Sequence, residues 1–146
     1  MAKMHKIEEK IELNCSADKI FEMLRAKQPD IPELCSDKIP SIEVHQGDWV
    51  SVGSTRKWDL NMDRIDAIDE ENKVITRSVI DGEMMSHYKS LTAHVQAIPK
   101  GNDNKSCFII ASFEYEKIHE DAPEPKEFLN FGLGVLKDLG HHLSSA

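Results

Sequence analysis

Glu9, Tyr115 and His87 are the residues with which this chain would do acid–base chemistry, because each is a titratable group set in or beside an apolar pattern. Glu9 is the one polar residue on the inner parity of "KIEEKIEL", between Ile7 and Ile11. Tyr115 shares a parity with Ile109, Ala111 and Phe113 in "CFIIASFEYEKI", and a tyrosine buried there has an apolar body and a hydroxyl that needs a partner. His87 follows the flexible pair Met84 and Met85 in "DGEMMSHY". Arg77 is a different case. In "KVITRSVI" it shares a parity with Ile75 and Val79, so it requires a carboxylate partner, an acidic ligand or a path to solvent. These patterns place no lysine on an inward parity, which counts against imine-forming or lysine-base chemistry.

Other constellations carry less. In "HQGDWVSVGSTRKW", Gly47 and Gly53 flank Trp49, but no GK[ST] follows and no helix begins there, so a phosphate cradle is excluded. A hairpin with glycines at positive φ and the lip of a pocket both remain open. His141 and His142 are adjacent on a helix and diverge by about 100°, so they do not chelate as an i, i+4 pair would. His119, Glu120 and Asp121 fall in a turn before prolines, and no GxSxG is present. No metal or cofactor is expected. Cys15, Cys35 and Cys107 are odd in number and widely spaced, which reads as reduced thiols of a cytoplasmic protein.

The elements that must position these residues follow from periodicity. "KIEEKIEL" alternates as a half-buried strand. Ser16 then caps a helix over "ADKIFEMLR", and the three prolines of "QPDIPELCSDKIP" force a short, broken second helix. From Ile42 onward short strands and turns alternate, with "NMD" read as a tight connection into "RIDAID", "EEN" as the next turn and "PKGNDNKS" as another. In "YKSLTAHVQAI" the residues Leu91, Ala93, Val95 and Ala97 share one face. After "HEDAPEP", Phe128, Leu129, Gly132, Val135, Leu136, Leu139 and Leu143 repeat at three- and four-residue steps as the apolar stripe of a long helix. Gly132 and Gly134 each cost it roughly 1 kcal/mol relative to alanine, and a glycine on the buried face serves either close backbone approach or open space. The order gives an α+β fold, with an antiparallel sheet wrapped around the C-terminal helix.

Length and charge bound the function. The 146 residues suit one domain over 1–146, 40% hydrophobic and 30% charged. A formal charge of −8 argues against sequence-independent nucleic-acid binding and against anionic membrane surfaces. No apolar run reaches the length of a membrane span, and the N-terminal residues do not form a signal peptide.

The element order and the short motifs "HQGDW", "VGS", "VIDGEMM", "YKS", "FEYEK" and "EDAPEP" resemble the plant major latex protein family, within the Bet v I-like, or START-like, helix-grip superfamily. The resemblance covers nearly the whole chain, from "KIEEKIEL" to "KDLGHHL". It implies a curved sheet of about seven strands, a V of two short helices, and a long helix over a large cavity that carries apolar or amphipathic metabolites, lipids, sterols or hormones in defence and stress. A minority of relatives are alkaloid enzymes. Two departures stand out. Val50 replaces a glycine usual after the tryptophan, and "KWDLNMDRIDAID" is a shorter hairpin than the family pattern. The family also tends to have an aromatic residue where this chain has Arg77.

On this reading the ligand-facing residues are Arg77, Val79 and Met84 before the long strands, and Leu91, Ala93 and Val95 on the first of them. Ile109, Ala111, Phe113 and Tyr115 follow on the second, and Phe128, Gly132, Val135 and Leu136 on the helix. Gly47, Trp49 and Gly53 belong to the loop. The expected function is carriage of an apolar small molecule without catalysis. The alternatives are an isomerase or condensing cyclase using a cavity acid or base, and a ligand-dependent regulator of a protein partner whose identity is unknown.

Overall fold

Ser16 separates the first strand from the first helix. Its backbone is extended, at φ −70° and ψ 151°, and its Oγ accepts the Lys19 amide at 3.1 Å, satisfying a donor that the helix leaves open. The computed structural model describes residues 3–34, 39, 42–48, 51–58, 61–101 and 105–144. Cys35, Trp49, Val50 and part of the Ile42-preceding segment lie outside them.

The elements run β1 (Met4–Leu13), α1 (Ala17–Ala26), a single 3-10 turn (Gln28–Asp30), α2 (Ile31–Leu34), β2 (Ile42–Gln46), β3 (Thr55–Trp58), β4 (Asn61–Asp69), β5 (Val74–Gly82), a second 3-10 turn (Glu83–Ser86), β6 (Tyr88–Pro99), β7 (Cys107–Lys117) and α3 (Lys126–Ser144). Pro29 and Pro32 confine the second helical segment to these short turns, as their missing donors require. The strands form one seven-stranded antiparallel sheet in the order β1-β7-β6-β5-β4-β3-β2. The meander is therefore complete from β2 to β7, and β1 closes it beside β7.

Register shifts bend the sheet. They occur at Val44/Gln46, Met62/Asp63, Ile65/Ala67 and Tyr88/Ser90, and each extra residue raises the local twist. The shift after Ile65 also reverses the parity of β4: Ile65 is buried, Ala67 faces solvent, and Ile68 returns to the core.

One sequence expectation is corrected here. "NMD" is not a turn. Asn61, Met62 and Asp63 belong to β4, with Asn61 opposite Trp58 and Asp63 opposite Arg56. Two polar residues suggested a connection, but Asp63 points inward to a charged partner, and that pairing overrides the turn propensity.

The core lies between the concave sheet face and the helices. α1 packs on β5 and β6 and touches α3, which rests on β1 and β7. Ile20, Ile109 and Leu139 are fully enclosed. The α3 stripe is broader than the repeat indicated, because Leu133 and Gly140 are buried too. A Cβ built on Gly140 would stand 3.1 Å from Leu13 Cδ2, so Gly140 is the position of close approach. At Gly132 a Cβ would meet nothing within 4 Å, so that glycine leaves space.

Candidate functional site

The space beside Gly132 belongs to a pocket of about 810 Å³ between the sheet and α3, with Leu24 of α1 and Ile31 of α2 closing one side. That volume is in the range of small-molecule sites. Its walls are largely apolar. Ile75 and Val79 come from β5, Ala93 and Val95 from β6, and Ala111 and Phe113 from β7, all on the inward parity of their strands. α3 supplies Phe128, Leu133, Val135 and Leu136, and Phe128 stacks on Phe113 with ring centroids 5.3 Å apart. The small side chains of Ala93 and Ala111 are part of the reason the interior is not filled at this point.

Of the residues assigned to the ligand from sequence, Arg77, Val79, Met84, Ala93, Val95, Ala111, Phe113, Phe128, Gly132, Val135 and Leu136 stand on this wall. Leu91, Ile109 and Tyr115 do not: they are buried in close-packed core. The shared parity is real, but their strands run past the end of the hollow. Gly47 and Gly53 are also away from the wall. Both have positive φ, of 84° and 92°, and act as turn glycines. A Cβ on Gly47 would lie 2.5 Å from Ser54 Oγ, and Gly53 donates its amide to the Ile65 carbonyl at 2.7 Å. Trp49 lies outside the described residues.

The acid–base candidates disperse. Glu9 is exposed on β1, although its parity is inward. Tyr115 is sealed between His5, stacked at 5.3 Å, and Tyr88, edge-on at 5.4 Å. Burial, and then the nearby Glu124, push its phenol above the ordinary range. His87 alone reaches the pocket, at the exposed rim. Tyr88 donates its hydroxyl to the Pro123 carbonyl, tying the segment before α3 to the sheet. Cys15 and Cys107 are buried thiols in mutual hydrogen-bond contact, and this contact together with burial holds Cys107 above the ordinary thiol range. Among the described residues no cluster is suited to a metal ion, and no helix is long and apolar enough to cross a membrane.

Sequence reasoning singled out Arg77 but missed the three residues around it, Arg56, Trp58 and Asp63, with which it forms the most polar part of the wall. Arg56 on β3 and Asp63 on β4 are 3% and 4% exposed at their side chains, and Arg56 Nε meets Asp63 Oδ1 at 2.9 Å. Arg77 on β5 donates from Nη1 to Asp63 Oδ2 at 3.0 Å, and its side chain is 30% exposed. Trp58 lies against both guanidinium groups, at 5.3 Å from Arg56 and 5.9 Å from Arg77, within cation–π range. All four residues face the pocket. Burial lowers the Arg56 pKa, and the charge and hydrogen bonds of Asp63 oppose that effect. The signal was present in "TRKW": Arg56 and Trp58 share a parity on which Lys57 does not lie.

The family model described as "Pathogenesis-related protein Bet v 1 family" matches residues 2–146. MLP-like protein 34 and MLP-like protein 43 of Arabidopsis thaliana are 34% and 33% identical over 94% of this chain in each case. The chain spans 46% of the length of the first, about half, and 92% of the second. Ginseng major latex-like protein 151 from Panax ginseng superposes with a TM-score of 0.87 at 26% identity, covering 95% of this chain and 97% of that one. Norcoclaurine synthase from Thalictrum flavum, in complex with dopamine and hydroxybenzaldehyde, superposes with a TM-score of 0.75 at 18% identity over 97% of this chain and 88% of that one, a likeness of fold alone. Catalytic proteins thus share the architecture. With its sheet, its long C-terminal helix and its two short helices accounted for, the chain belongs to the Bet v 1 family and, within it, to the major latex protein-like proteins.

Proposed function

We propose that this protein binds and carries one apolar or amphipathic small molecule in the pocket under α3, without turning it over. The observation that supports this most is the hollow itself, about 810 Å³ walled by aliphatic and aromatic side chains. Removing a ligand's apolar surface from water there contributes roughly 25 cal/mol per Å² before ordering costs. The dispersal of Glu9, Tyr115 and His87 supports carriage over acid–base catalysis, since such catalysis needs its groups within hydrogen-bond reach of one reacting centre. A cytoplasmic role in defence or stress belongs to the same proposal and rests on the family.

The test is titration with the neutral fluorophore N-phenyl-1-naphthylamine, followed by the same titration of Ala111→Leu, which places a larger side chain on the β7 wall. Saturable 1:1 binding that weakens in the variant is the expected result. Absence of saturable binding to the wild-type protein, with a panel of apolar compounds equally inactive, would show the interior to be filled core.

A further inference from the structure

Where β3, β4 and β5 meet, the pocket wall carries a cluster of two guanidinium groups and one carboxylate, Arg56, Arg77 and Asp63. Arg56 spends Nε and Nη2 on the two oxygens of Asp63, at 2.9 and 3.2 Å, and its side chain is only 3% exposed. Arg77 gives only Nη1 to Asp63. Its other N–H groups meet no hydrogen-bond acceptor among the described residues, and its side chain is the most open of the three. Beside it, the Trp58 Nε1–H is buried and likewise has no acceptor among the described residues. A buried donor left without an acceptor costs free energy that a ligand oxygen would recover. The remaining charged wall residues, Glu83, Glu124, Lys126 and Glu127, are exposed at the rim, and Lys126 is paired with Glu124 at 3.3 Å.

We propose that Arg77 is the recognition point for a single carboxylate on the carried molecule, with Trp58 Nε1 as an accessory donor. The ligand class is then an apolar monocarboxylic acid, its chain or rings lying against Val79, Met84, Phe113 and Phe128. This deepens the carrier reading and rests on it. A planar guanidinium matches a carboxylate in shape, and a charged hydrogen bond is strongest where water is scarce. A monoanion balances the one surplus positive charge of the Arg56–Asp63–Arg77 cluster, whereas a dianion overshoots it. The protein as a whole carries −8, so its general field repels anions, and any preference for one must be local to this cluster.

The experiment is competition against bound N-phenyl-1-naphthylamine by decanoate and by decanol, at neutral pH, in the wild-type protein, R77Q and K57Q. Lys57 is exposed on the other face of β3, so K57Q removes the same unit charge away from the pocket. In the wild-type protein decanoate should compete about tenfold better than decanol. K57Q should keep that ratio, and R77Q should abolish it. The wild-type ratio needs no variant. If decanol equals or exceeds decanoate there, or if R77Q keeps the preference, the carboxylate site is wrong while the carrier reading stands. If the fluorophore binds but decanoate does not displace it, the carboxylate site is likewise wrong; if neither the fluorophore nor a panel of apolar compounds binds, the carrier reading fails and the inference with it.

Discussion

Arg56 and Asp63 face each other across the β3–β4 ladder as a doubly hydrogen-bonded ion pair, with both side chains almost wholly removed from solvent. The pair joins a short strand to the longer β4 at the point where a register shift bends the sheet. Each partner needs the other, because an unmatched buried charge is far more costly than the pair is stabilising.

Asp63→Asn therefore leaves two neighbouring guanidinium groups without a counter-charge. The expected loss is about 3–5 kcal/mol. Arg77→Gln leaves the neutral Arg56–Asp63 pair intact at a more open position, and its cost should be nearer 1 kcal/mol. Urea unfolding midpoints decide this. Equal midpoints for the two variants would mean that Asp63 is not the centre of the cluster.

Two of the three α3 glycines, Gly132 and Gly140, predict opposite results for one chemical change. Gly132→Ala meets open space in a helix and should stabilise by up to about 1 kcal/mol. Gly140→Ala presses a methyl group onto the enclosed Leu13 side chain at 3.1 Å, so the propensity gain should be cancelled or reversed. Thermal unfolding of the two variants is the measurement. A gain at Gly140 as large as that at Gly132 would contradict the packing.

The chain's two tyrosines give a pH prediction. Burial is the first cause that raises both Tyr88 and Tyr115 above the ordinary value of 10.0, with Glu124 adding to it in each case. The folded state thus favours the neutral phenols. Stability is complete below the ordinary tyrosine pKa and falls as pH rises through it, because the unfolded chain ionises first. Absorbance at 295 nm should show both phenolates forming late in the folded protein and near pH 10 in urea. Coincident titrations would sink the assignment.

The order of elements along the chain, the antiparallel meander, the paired helices and most of the apolar wall were legible in alternation and helical spacing. Ala93, Ala111 and Phe113 needed only their parity. What spacing does not encode is where along a strand the interior stops being filled, so Leu91, Ile109 and Tyr115 shared the inward face without reaching the pocket. Nor does it encode partners. Arg77 was visible as an anomaly, but its carboxylate was hidden in "NMD", where a pair of polar residues imitates a turn. The Ile65/Ala67 shift reversed a parity for the same reason, since a bulge is a property of the pairing rather than of either strand.

The place of β1 at the edge beside β7 has a consequence for synthesis. Leu13 pairs with Cys107 and Met4 with Glu116, so the first strand made has no neighbour until the last strand leaves the ribosome. At roughly 5–20 residues per second, that interval is on the order of ten seconds. Through it, Lys6, Glu8, Lys10 and Glu12 keep one side of the waiting strand charged, in alternating sign. Such a side is a poor template for another nascent copy and a good one for nothing but water. The alternation that marks β1 as a strand is thus also what protects it during its wait.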